Sequence, residues 1–128
     1  MSMLPRIDAY LRASLPLMDV LGDPPRVWRQ GEAPQKGDKP YVTWFVINAL
    51  PDNQLSGTPT HDRIPVQFDV YHPTDAGVEE LATLLRDALE GVAHMTAWRN
   101  HPKDPQARLY RMGLDFDFIQ GRAANSFT

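Results

Sequence analysis

The clearest pattern of apolar and polar positions runs through residues 63–92, RIPVQFDVYHPTDAGVEELATLLRDALEGV. Ile64, Val66, Phe68 and Val70 occupy every second position, with Arg63, Gln67, Asp69 and Tyr71 on the alternate face, which predicts a strand buried on one side. The period then changes. Val78, Leu81, Ala82, Leu85, Ala88, Leu89 and Val92 recur three and four apart, opposite Glu79, Glu80, Thr83, Arg86, Asp87 and Glu90, which predicts an amphipathic helix lying on a sheet. Pro73 cannot continue a ladder, Thr74 is placed to cap the helix, and Asp75, Glu79 and Glu80 put negative charge near its positive end. Gly91 predicts its end. Full burial of a Leu or Val contributes roughly 1.5–3 kcal/mol, so the large residues of this stripe are expected to outweigh any surface ion pair nearby.

Upstream, Ile7, Tyr10, Leu11, Leu15, Met18 and Leu21 follow mostly helical spacing across residues 5–21, with Pro5 acceptable in a first turn and Pro16 forcing a kink or a break. Gly22 and Asp23-Pro24-Pro25 end that helix. Residues 26–29 form a candidate short strand and 30–39 a polar loop. Residues 40–47 (PYVTWFVI) predict a strong strand with two apolar faces, Val42, Trp44 and Val46 on one and Tyr41, Phe45 and Ile47 on the other. Such a strand is central in its sheet or is covered by another chain. Residues 48–62 then make a long polar connection between two antiparallel strands, well beyond the roughly 2–5 residues of an ordinary hairpin loop, and such loops carry contacts more often than short ones.

After the central helix, residues 94–98 (HMTAW) predict a further strand and 99–106 a loop. In the last strong element, residues 108–119, Tyr110, Met112, Leu114, Phe116 and Phe118 alternate with Arg111, Gly113, Asp115 and Asp117. This strand is expected beside the one at 64–70, and residues 120–128 read as a loose tail. Assembled, the elements predict an α+β fold of two layers: a mostly antiparallel sheet of four to five strands with two helices packed on one face. Residues 1–119 are expected to form one domain, with the second face of its sheet partly apolar and uncovered.

Composition narrows the function. At 128 residues the chain is of single-domain length, and 42% hydrophobic with 23% charged residues argues against disorder, a membrane span or a coiled coil. Without cysteine there is no disulfide framework, thiolate nucleophile or Cys-ligated zinc, and no signal-peptide pattern opens the sequence, so a soluble intracellular protein is expected. A formal net charge of -3 gives no general attraction to nucleic acid. Charge is nevertheless uneven, because Arg99, Lys103, Arg108 and Arg111 cluster while the exposed helix face is acidic. That split would suit head-to-tail packing of identical subunits.

Candidate chemistry is thin. Asp115 and Asp117 share a strand face that Asp69 joins if the strands are in register, and three carboxylates can hold magnesium as in a nuclease; polar alternation on a wet sheet face produces the same pattern without a metal. The four histidines contain no HExxH, the serines no GxSxG, and no glycine-rich phosphate loop follows a strand. Trp28, Trp44 and Trp98 stand among apolar neighbours and are expected in the core rather than in a stacking platform. No catalytic constellation stands out, so the chain is read as a non-enzyme without cofactor or metal.

Three stretches carry a resemblance: KPYVTWFV at 39–46, VQFDVYHPTDAGVEELATLLRDALEG at 66–91 and LYRMGLDFDF at 109–118. With the opening helix they make nearly the whole chain similar to the tail-completion or tail-terminator family of long-tailed bacteriophages and prophages, minor tail proteins with a structural role. The resemblance implies a small α+β subunit that assembles as a homo-oligomeric ring, usually a hexamer, on the last ring of the tail tube. There it would stop polymerisation and meet the tail tube protein and the head-tail connector, with DNA passing through the bore unbound and no membrane involved. It places the protein in the virion tail, and in the host cytoplasm during assembly. Under that reading the loop residues Asn53, Gln54, Leu55, Ser56 and Gly57 reach a neighbour or the tube. The acidic face around Glu79 and Glu90 would meet the basic span around Arg99, Arg108 and Arg111 of the next subunit. The alternatives are a small oligomeric adaptor or head-tail connector of a phage module and, less well supported, a metal-dependent nuclease using Asp69, Asp115 and Asp117.

Overall fold

Pro16 breaks the N-terminal helix instead of bending it. In the computed structural model, which describes residues 5–30, 39–47, 50–51, 61–104 and 109–121, helix α1 spans Ile7–Arg12 and α2 spans Leu15–Leu21. Ser14 between them accepts the Leu17 amide on its hydroxyl at 3.3 Å, and Pro16 falls in the first turn of α2, where a missing amide hydrogen costs nothing. The break keeps Ile7, Leu11, Leu17 and Leu21 buried but turns Leu15 outward, so this member of the expected stripe is 76% exposed. Gly22 ends α2 at φ 87°, a conformation that favours glycine.

The strands are β1 (Val27–Arg29), β2 (Tyr41–Val46), β3 (Leu50–Pro51), β4 (His61–His72), β5 (Ala93–Asp104) and β6 (Leu109–Gly121), with helix α3 (Asp75–Leu89) between β4 and β5. The main order across the sheet is β1-β2-β4-β6-β5, and β3 carries the pairing further along β4. Every pair is antiparallel except β1 with β2, so the sheet is mixed. Arg26 fastens the first half of the chain to this sheet, donating to the Val20 carbonyl at 2.9 Å and to the Pro40 carbonyl at 2.7 Å. Because β6 lies between β4 and β5, α3 crosses one intervening strand as it joins two strands that run the same way.

The alternation read from the sequence sets the faces. Val42 faces Val70, Val66 faces Phe116, and Phe68 faces Leu114, all pointing to the helical layer. There they meet Val78, Leu81, Leu85 and Leu89 of α3, and Phe68 lies edge-on to Phe116 with ring centres 5.5 Å apart. Tyr10 of α1 stacks on Phe118. Thr74 caps α3 as expected, accepting the Gly77 amide at 3.0 Å, and the helix stops just before Gly91.

Several boundaries differ from expectation. Three helices, not two, cover one face of the sheet. β5 runs on to Asp104 where a loop was expected after Trp98. The ladder offered by β6 overrides the weak propensity of a polar stretch, and Pro102 sits in an irregularity of an edge strand, where a missing amide is tolerated. Residues 120 and 121 belong to β6 rather than to a tail, while 122–128 lie outside the described residues. The long connection is shortened from both ends, since Leu50 faces Arg63 and Pro51 faces Asp62; its tip, 52–60, is also outside the described residues. Val92 is 40% exposed, because α3 has ended before it.

Candidate assembly surfaces

Two surfaces are left over once the core is formed. The first is the outer face of the sheet, opposite the helices. Register brings Gln67 opposite Asp115, Asp69 opposite Gly113 and Tyr71 opposite Arg111, so side chains from β4, β6 and β5 form one charged field. Arg111 Nε donates to Asp69 Oδ1 at 3.3 Å, and Gln67 Nε2 donates to the same oxygen at 3.3 Å. Arg99 reaches across Gly113 to Asp115 with both terminal nitrogens, at 2.7 and 3.3 Å, a bidentate geometry. Gly113 makes this crossing possible: a Cβ there would lie 3.0 Å from Arg99 Nη1 and 3.3 Å from Asp69 Oδ1. Arg63 stands 4.0 Å from Asp117.

The three aspartates of the nuclease reading therefore do share a face, but each is matched by an arginine, and among the described residues no group of three metal-capable side chains forms a site. The arginines answer carboxylates where a metal centre would need those carboxylates free.

Towards β1 the same face turns aromatic. Tyr41 and Tyr71 stack with centres 4.4 Å apart, and Trp28 meets Tyr41 edge-on. Burial raises both phenol pKa values, helped at Tyr71 by the neighbouring Asp69 carboxylate. At the other end His101 Nε2 is buried without a partner, and burial, then the Arg111 charge, lowers the imidazole pKa. The expected uncovered apolar face is thus aromatic at one end and ion-paired across its middle.

The second surface is a groove of about 310 Å³ on the helical side, between α3 and the inner face of β5. Helices α1 and α2 pack along one flank of α3, and nothing among the described residues covers its other flank, where Met95 and Trp98 project beside Met112 and Leu114. Trp98 faces Leu114 in register, on the core side of the sheet, yet it is 59% exposed. The expectation of a buried Trp98 fails because α3 stops short of the edge strand, while Trp28 and Trp44 are half-buried. Glu79 and Arg86 stand at the rim of this groove.

Of the interface residues expected from the sequence, Glu79 and Glu90 are exposed on the helical layer, whereas Arg99 and Arg111 belong to the sheet's outer face and are matched within the subunit. The fold does not bring the two sets together in one chain. Arg108 and residues 53–57 lie outside the described residues. The groove itself was missed: Met95 and Trp98, three apart, share a face only because the β5 ladder slips a residue between Met95 and Ala97, which no period-two pattern signals.

The subunit thus presents an aromatic and ion-paired sheet face on one side and an open apolar groove on the other. Its fold is similar to that of a chain in the virion of a native gene transfer agent (GTA) particle, with a TM-score of 0.60 at 16% identity over 88% of this chain and 90% of that one. A comparison with curated proteins finds no match. The sequence pattern of the tail completion protein gp17 family matches residues 5–121, and the chain belongs to that family. It is a structural protein of a phage tail.

Proposed function

We propose that the protein caps the tail tube as a closed ring of identical subunits, ending polymerisation and offering the surface to which the head is joined. The observation that carries this reading is the strip along β5, where a tryptophan on the core side of the sheet stays exposed and nothing among the described residues covers it. An apolar surface left open in one subunit of a tail protein is accounted for by burial against the next. Six subunits are what the family resemblance implies. In such a ring Asn53, Gln54, Leu55, Ser56 and Gly57 would touch the tube or a neighbour, and Glu79 and Glu90 would face Arg108 of the next subunit. Arg99 and Arg111, matched by Asp115 and Asp69, would stay within their own subunit. An outer face whose charges are largely neutralised in pairs would let DNA slide past without strong attraction.

The test is to add the purified protein to tail tube protein that is polymerising. Tubes should stop growing and carry an extra ring of density at one end. Tubes that elongate past bound protein at the rate seen without it would overturn the reading.

A further inference from the structure

We propose that Leu15 of one copy seats in the Trp98 groove of the next copy; this deepens the ring reading above and rests on it. Leu15 and Trp98 have the highest exposures among the large hydrophobic side chains described, 76% and 59%. One is a projection and the other the wall of a hollow. Leu15 stands at the start of α2, held out by the Ser14 cap and the break at Pro16, so it is fixed by the fold and not merely loose.

The two features also belong to opposite flanks of α3. At 100° per residue, the groove-lining residues of α3, Glu79, Thr83 and Arg86, leave the helix on one flank of its buried stripe. Leu84 and Ala88, which line a hollow with Ser14 and Pro16 beside Leu15, leave it on the other. A projection on one flank and a matching hollow on the opposite flank make a head-to-tail contact, which closes into a ring if the rotation per subunit allows. A single chain cannot satisfy its own groove this way.

Charge fits the same occupant. Arg12, in the last turn of α1, lies three residues before Leu15 and is paired with Asp8 in an exposed contact at 2.8 Å, the kind of pair that contributes little and exchanges readily. The groove rim carries Glu79 and Arg86. Seating Leu15 would bring Arg12 of the incoming copy towards Glu79, while Arg86 keeps Asp87 of its own helix at 3.3 Å.

The protein contains no cysteine, which makes disulfide trapping clean. Leu15→Cys and Trp98→Cys single variants, mixed and oxidised at high protein concentration, should give a covalent dimer absent from either variant alone. The double variant should give a ladder of linked chains on a denaturing gel. Trp98→Cys linking to itself would place a two-fold contact at the groove and overturn the proposal. No mixed linkage, in a preparation whose unsubstituted parent forms rings, would overturn this contact and leave the ring standing. No linkage and no ring would overturn both together.

Discussion

Asp69 and Arg111 meet diagonally across the β4–β6 ladder, Nε to Oδ1 at 3.3 Å, with the carboxylate side chain 4% exposed and the guanidinium 38%. The carboxylate is inaccessible and the cation reaches solvent, so the two are unequal partners. Removing the cation leaves a buried charge supported mainly by Gln67.

Arg111→Ala is therefore expected to cost about 2 kcal/mol, below the 3–5 kcal/mol typical of fully buried pairs because this guanidinium is partly solvated. Asp69→Asn in the same background should recover part of the loss by removing the stranded charge. Urea unfolding of the three variants measures both effects. An Arg111→Ala variant within about 0.5 kcal/mol of the parent would mean that water already supports Asp69.

The corner between β4 and α3 gives a second prediction. His72 Nδ1 accepts the Thr74 amide at 3.0 Å, and its ring occupies the space that a Cβ on residue 77 would take. Gly77→Ala should drive the imidazole from that hydrogen bond, offsetting the helix propensity of alanine, which is about 1 kcal/mol better than glycine. In a His72→Ala background the same substitution should be stabilising. A double-mutant cycle read by thermal unfolding tests the coupling, and equal effects in both backgrounds would contradict it.

Stability should also fall at both ends of the pH scale. Tyr41 and Tyr71 have folded pKa values above their ordinary 10.0, so the folded state holds their protons more tightly and stability declines as pH rises past about 10. His101 has a folded pKa below its ordinary 6.5, so its contribution is complete above that value and declines as pH falls through it. Tyr41→Phe should flatten the alkaline limb and His101→Gln the acid one. Melting temperature against pH for each variant is the check; limbs unchanged by either substitution would assign them to other groups.

What could be read from the sequence depended on whether neighbours within the chain decided the outcome. The strand centred on Phe68, the Thr74 cap and the buried stripe through Leu85 follow from local period and turn chemistry, so they were legible. The two-layer α+β architecture followed from their order. The extension of β5 to Asp104 was not legible, because a polar edge segment becomes a strand only when β6 presents its ladder. Trp98 and Leu15 illustrate the same limit for the assembly surface. Both have the composition and spacing of core residues, and only the actual extent of the helices shows that nothing among the described residues covers them. Likewise, the basic span around Arg99 reads as a cationic patch until register pairs Arg99 with Asp115 and Arg111 with Asp69.

The most direct test of ring assembly is mass in solution, by light scattering on a size-exclusion column across a range of concentrations, with electron microscopy of the leading peak and tail tube protein added in a parallel run. Ring assembly predicts a multi-subunit species that appears as an annulus with an open bore, alone at high concentration or on the end of the tube. A monomer under all of these conditions, or a stable two-fold dimer with no bore, would contradict it.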